Sequence, residues 1–144
     1  DYTYGRAFPY FDVRNHPVTH IDFTHPYTEE LRQQILDAAQ RAGEPCMAGG
    51  VYAAVQGPRL ETVAEVNRIE RDGANMVGMT GMPEAALARE LGLSYAAIAV
   101  VVNHAAGRGS SRDGIHIEAV KDVTLQAMGK VRNILGCLVE CDGD

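Results

Sequence analysis

The stretch that decides the fold begins Gly49-Gly-Val-Tyr-Ala-Ala-Val-Gln-Gly-Pro-Arg-Leu-Glu-Thr62. After a helical pattern it continues Met76-Val-Gly-Met-Thr-Gly-Met-Pro-Glu84, and after a second one it closes on Tyr95-Ala-Ala-Ile-Ala-Val-Val-Val-Asn103. Three apolar runs therefore each end in a turn marked by Gly, Pro or Asn: at 57–62, at 79–84 and at Asn103. Strands alternating with helices predict an α/β fold with a largely parallel sheet. Ligands of such sheets lie beyond the carboxyl ends of the strands. If the three runs are neighbouring strands, their turns converge on one small molecule.

Working outward, Val51 to Gln56 and Asn75 to Val77 read as short strands, and Tyr95 to Val102 reads as a central buried one because it is unbroken and β-branched. Between the first two, Thr62 and Glu65 have the spacing of a capping box, so a helix starts at Val63, buries Val66 and Ile69 and stops at Gly73. Pro83 suits the first turn of the next helix, whose buried stripe is Leu87, Ala88 and Leu91. Upstream, Thr28 is placed to cap a helix with Glu29 and Glu30 in its first turn. Leu31, Ile35, Ala38, Ala39 and Ala42 recur along it at helical spacing, and Gly43 ends it. Pro17 to Phe23 is a short strand or extended segment. Residues 1 to 16 form an aromatic-rich arm, packed on the body or reaching a neighbouring subunit. Downstream, Ala105 to Gly114 is a flexible polar loop. A last helix runs from about Ile115 to Leu138, with Ile117, Val120, Thr124, Ala127, Val131, Ile134, Leu135 and Leu138 on one face.

Bulk properties narrow the class. A chain of 144 residues fits one domain, and 46% hydrophobic with 22% charged residues suffices for an ordinary core. The formal net charge of −6 argues against a nucleic-acid partner. Cys46, Cys137 and Cys141 are an odd set without a C-x-x-C spacing, which fits free thiols in a reducing cytoplasm. No run is long enough for a membrane span, and no signal peptide is visible. The chain opens on Asp1-Tyr-Thr-Tyr without an initiator Met, as a fragment or processed piece does.

Several chemistries lack their signatures. There is no Gly-x-Gly-x-x-Gly, no Gly-x-x-x-x-Gly-Lys-Ser/Thr and no Gly-x-Ser-x-Gly. There is no His-Glu-x-x-His, and the five histidines are not expected to form a metal site. Gly107-Arg108-Gly109-Ser110 looks phosphate-like but lacks a suitable helix start, so it reads as a loop.

The blocks Gly57-Pro-Arg-Leu-Glu-Thr-Val-Ala-Glu65, Gly78-Met-Thr-Gly-Met-Pro-Glu84 and Val102-Asn103, in this order and spacing, resemble the purine nucleoside phosphorylase and methylthioadenosine phosphorylase family. The resemblance covers nearly the whole chain. The opening Asp-Tyr-Thr-Tyr-Gly-Arg and Pro17-Val-Thr-His-Ile-Asp-Phe23 look most like the bacterial branch that acts on S-methyl-5'-thioinosine. The resemblance implies a three-layer α/β sandwich with a largely parallel mixed sheet, residues 1–144 being a carboxyl-terminal part of it. It further implies a cytoplasmic homotrimer and a reaction in which inorganic phosphate displaces a purine from a ribosyl group. No cofactor or metal is called for.

The residue roles below are also implied by the resemblance. Asn103 bonds the N7 and O6 side of the base, where relatives that take 6-aminopurines carry Asp. Glu61 accepts from N1–H of a 6-oxopurine. Leu60 stands where mammalian-type relatives carry a stacking aromatic, so it offers apolar contact only. Met79 lines the ribose, Thr80 bonds phosphate, and His104 and Ala105 form the rim. His116 faces the 5' substituent, where a His suits a hydroxyl better than a methylthio group. Phe8, Phe11 or His16 reach across a subunit border. As bare residues, Asn103 is a strand-end turn residue, Glu61 a first-turn acid beside a helix dipole, and Met79 core filling. The Gly-rich phosphate loop and Arg-His pair of the family's amino-terminal half are not in this sequence. The expected function is phosphorolysis of a 6-oxopurine nucleoside. A non-catalytic purine-binding fragment is the alternative, and a nucleosidase that uses water a third possibility.

Overall fold

In a computed structural model that describes residues 1–6 and 17–141, the chain is built from α1 (Glu29–Arg41), β1 (Tyr52–Ala54), α2 (Val63–Arg71), β2 (Met76–Gly78), α3 (Glu84–Glu90), a single 3-10 turn (Gly109–Ser111) and α4 (Ile117–Cys141). β1 and β2 pair in parallel with the register Tyr52↔Met76, Ala53↔Val77 and Ala54↔Gly78. An isolated parallel bridge adds Tyr2 beside Val55. The α/β class and the parallel pairing are those expected.

Each helix follows from local chemistry. At α2 the capping box forms: Thr62 Oγ1 accepts from Glu65 N–H at 3.2 Å, and Glu65 Oε2 accepts from Thr62 N–H at 2.7 Å. Two donors left over at a helix start are thereby satisfied. At α1 the expected cap behaves differently. Thr28 makes no side-chain cap; its hydroxyl accepts from Tyr95 N–H at 3.0 Å, while its own N–H donates to Tyr95 O at 2.7 Å. The Tyr27 and Tyr95 rings stack beside these bonds with centroids 6.0 Å apart.

Two clusters hold the body together. Ile35, Ala38 and Ala39 of α1 pack against Ile134 of α4, with Leu31, Ala96, Ile98, Cys137 and Leu138 around them. Ala53, Val55 and Ile69 join β1 to α2, with Tyr2, Ala74, Val77 and Met79 at the margin. Small side chains dominate, and among the described residues no large one is fully buried. Cys46 and Cys137 are free thiols.

Three expectations need correction. Tyr95 to Val102 is extended but is not a strand: among the described residues its backbone bonds only through Tyr95, to Thr28. Ala96 and Ile98 turn toward the α1–α4 cluster, and Val101 on the other side is 70% exposed. Unbroken β-branched sequence gives the pleat, but a ladder needs a neighbour in register, and none stands beside it. The stripe on α3 is made by Ala85, Ala86 and Ala88, while Leu91 is 54% exposed, because the small residues allow the close approach. On α4, Ile134 is buried but Ile117 and Leu135 are exposed. Of the two readings of Pro17 to Phe23, the strand is not formed. Phe8, Phe11 and His16 lie outside the described residues.

Among the described residues Ile134 is the one α4 side chain buried against α1, so replacing it by Ala should cost roughly 3 kcal/mol in chemical denaturation. Ile117→Ala, at an exposed position, should stay within about 0.5 kcal/mol.

Candidate active site

The β1–β2 ladder ends with Val55 N–H donating to Gly78 O at 2.8 Å, and there the two chains turn away. The turn after β1 needs glycine. Gly57 has φ +63°, and a Cβ on it would sit 2.5 Å from Met79 Sδ. Met79 therefore lies directly across the first turn. Gly78 is constrained by proximity instead: a Cβ there would meet the Tyr52 phenol oxygen at 2.2 Å. The Tyr52 ring thus crosses β2 and reaches the second turn. Its oxygen accepts from Thr80 N–H at 3.3 Å and lies 3.3 Å from Thr80 Oγ1.

A cavity of about 390 Å³ opens between β2 with its turn and the stretch 99–105. That volume falls within the range of small-molecule sites, roughly 300–1,000 Å³. Leu60, Glu61, Met79, Asn103, His104 and Ala105 all line it. Three stretches far apart in sequence thus meet at one opening. Thr80 and His116 are not in the lining. Thr80 is exposed beside Tyr52, which is, and His116 is exposed next to Ile115, which is.

The two glutamates of the first block have different environments. Glu65 receives Arg59 through both guanidinium nitrogens, at 2.7 and 2.8 Å, and also the Thr62 N–H and hydroxyl. The Arg59 guanidinium, followed by the Thr62 donors, holds its carboxyl down to about 2. Glu61 makes no hydrogen bond or ion pair among the described residues. One carboxylate is consumed by the helix start, and the other faces the cavity free.

Asn103 gives one amide hydrogen to His104 O at 2.7 Å. Its Oδ1 and second N–H remain available, so the side chain still offers both a donor and an acceptor. His104 Nδ1 lies 3.1 Å from Ser110 Oγ.

The loop expected to be flexible is pinned. Gly107 N–H donates to Ser111 O at 3.0 Å, Ser111 N–H to Arg108 O at 2.8 Å, and Ser111 is buried. Arg108 reaches α2, bonding Asn67 Oδ1 at 2.7 Å and Glu70 Oε2 at 2.6 Å. With its charge already paired, the Gly-Arg-Gly-Ser stretch is a staple between loop and helix. Sequence reading overlooked three residues here: Tyr52, Arg108 as a wall of the cavity, and Arg6, whose guanidinium bonds both turns. Arg6 stands between Tyr4 and Phe8 in the aromatic-rich arm, and no local pattern marks it.

Known proteins resemble this chain in sequence and in fold. The family described as the phosphorylase superfamily matches residues 2–140. A Pseudomonas syringae pv. tomato protein named probable S-methyl-5'-thioinosine phosphorylase is 51% identical over 135 residues, 94% of this chain and 54% of its own. A probable 6-oxopurine nucleoside phosphorylase of Moorella thermoacetica is 47% identical over 111 residues, 77% of this chain and 43% of its own. Methylthioadenosine phosphorylase from Schistosoma mansoni, solved in complex with adenine, superposes with a TM-score of 0.88 at 26% identity, covering 99% of this chain and 57% of that one. The chain spans about half the length of the curated relatives it matches.

The Glu65 arrangement has a pH consequence. Its pKa is lowered on folding from 4.5 to about 2, so its contribution to stability is complete above about pH 4.5 and fades as pH falls toward 2. Carboxyl NMR titration should show Glu65 ionised well below pH 4, and Glu65→Gln should flatten the acid limb of the stability profile over that window.

Proposed function

Since this chain belongs to the phosphorylase superfamily, we propose that the protein phosphorolyses 6-oxopurine nucleosides: S-methyl-5'-thioinosine, or inosine and guanosine. The products are the free purine and the corresponding (methylthio)ribose 1-phosphate. The observation that carries this reading is the unpaired Glu61 carboxylate lining the same cavity as the half-used Asn103 amide. The printed names of the relatives, on S-methyl-5'-thioinosine and 6-oxopurine nucleosides, point the same way.

The chemistry follows from what each group offers. A 6-oxopurine presents an N1–H donor and an O6 acceptor side by side. Glu61 accepts the first, and the free N–H of Asn103 serves O6 or N7. As the C1'–N9 bond lengthens, the sugar takes on oxocarbenium character and the purine accumulates negative charge. A fixed amide donor on N7 stabilises that charge as it develops. A phosphate oxygen then forms the new bond to C1', and the departing base takes up a proton. Adenine has no N1–H, so Glu61 would face a lone pair across the site. This rejects 6-aminopurines, because a carboxylate covered by a bound base and left without its donor is costly.

Leu60 and Met79 give apolar contact for base and ribose. Thr80 is assigned to phosphate. Its Oγ1 lies 3.3 Å from the Tyr52 oxygen and either hydroxyl can donate; with Tyr52 as the donor, the Thr80 hydroxyl hydrogen is left for an anion. His116 is assigned to the 5' substituent. By family resemblance the enzyme is a cytoplasmic homotrimer, with inorganic phosphate as co-substrate and no metal.

With phosphate present, the protein should release hypoxanthine from inosine or S-methyl-5'-thioinosine, together with the sugar 1-phosphate. Free ribose in its place would indicate hydrolysis, and no release from either nucleoside would refute the proposal. Asn103→Asp should raise the ratio of kcat/KM for adenosine over inosine by roughly tenfold or more, since the aspartate matches a 6-amino donor. An unaltered ratio would remove Asn103 from base reading.

A further inference from the structure

Beyond the end of the β1–β2 ladder, no backbone hydrogen bond among the described residues crosses from the turn at 57–62 to the turn at 79–84. A single cation spans that gap. Arg6 Nη2 donates to Val55 O at 3.0 Å, Gln56 O at 3.1 Å and Met79 O at 3.0 Å, and Arg6 Nη1 donates to Met82 O. Two of these carbonyls close β1, and two belong to the turn after β2. Arg6 is half-buried, and among the described residues no carboxylate pairs with it. Its two terminal nitrogens thus serve carbonyls that the ladder leaves unmatched. Nη2 has two hydrogens for three acceptors, so at least one bond is shared.

We propose that Arg6 is a positioning residue for the nucleoside site: it clamps the two turns together and so sets Glu61 relative to Met79 and Thr80. The first turn leads from Gln56 through Gly57 to Leu60 and Glu61, and the second begins at Met79. The first turn is held at its far end by the α2 capping box and the second runs into α3, but at their near ends Met79 lying over Gly57 needs both turns to keep their separation. A planar guanidinium suits the task because its donors diverge in one plane toward several oxygens. An ammonium is a compact point donor and reaches fewer of them. The catalytic part of this proposal rests on the phosphorolytic reading above; the clamp itself does not.

Arg6→Ala and Arg6→Lys, compared with the wild type, test both parts. Amide hydrogen exchange over 57–62 and 79–84 should quicken together by about tenfold in Arg6→Ala, with α1 and α4 unchanged. In steady-state assays with inosine and inorganic phosphate, KM for inosine should rise roughly tenfold to a hundredfold, more than kcat falls. Added guanidinium should restore part of the loss in Arg6→Ala and leave the wild type unaffected. If Arg6→Ala does not fold, Arg6→Lys carries the same readouts at smaller amplitude. Unchanged exchange at the two turns overturns the proposal whatever the kinetics. Equal quickening in α1 and α4, without guanidinium rescue, also overturns it, because Arg6 is then a general stabiliser. A wild type that does not turn over inosine, with the two turns still loosened together in the variants, leaves the clamp standing and removes the phosphorolytic reading.

Discussion

Everything at the site depends on the parallel register of β1 with β2. Ala54 opposite Gly78 means that both strands run out at the same level and on the same side. Parallel strands put their carboxyl ends together, which is why ligands of α/β sheets gather there. Shifting the pairing by one residue would turn Tyr52 to the opposite face and bring a bulkier side chain against its phenol. The phenol of Tyr52 fits across β2 only because position 78 lacks a Cβ. The same register sets Met79 over Gly57. A ladder of three residue pairs thus fixes the relation between the turn that leads to Glu61 and the turn that begins at Met79.

The electrostatics of the first turn follow from a competition between two acids four residues apart. Glu65 is taken by the helix start and by Arg59, which holds it ionised and occupied. Glu61 precedes the helix and escapes both partners. A carboxylate with unused acceptor capacity at the mouth of a cavity suits a ligand that brings its own N–H. Arg108 illustrates the opposite case: pairing with Glu70 and Asn67 uses its charge for folding, and the loop around it becomes a wall of the cavity.

The core around this site is modest. Among the described residues, alanines supply seven of the twelve buried hydrophobic side chains, and each contributes little apolar area. Val101, Leu125 and Val139 stay largely exposed. Ala38 and Ala39 let α1 approach α4 closely, where Ile35 and Ile134 meet.

Much of this was legible in the residues alone. Thr62 and Glu65 announced the start of α2, because a capping box is a local device that needs only four consecutive residues. Gly57-Pro58 and Gly81 through Pro83 marked the turns for the same reason. The three blocks also indicated the family and the set Leu60, Glu61, Met79, Asn103, His104 and Ala105, all of which line one cavity. What failed to show was long-range. Tyr95 to Val102 has the composition of a central strand, yet a strand exists only through a partner at the right distance, and composition does not specify one. Thr28 looked like a cap and became a tie to Tyr95; Arg6 looked incidental and bonds carbonyls some 50 and more residues away. The sequence by itself determined the local elements and the chemical types that surround the cavity. Tertiary structure alone decided which carboxylate stays free, which arginine is neutralised and which one joins the two turns, because those outcomes depend on which groups come within hydrogen-bonding reach.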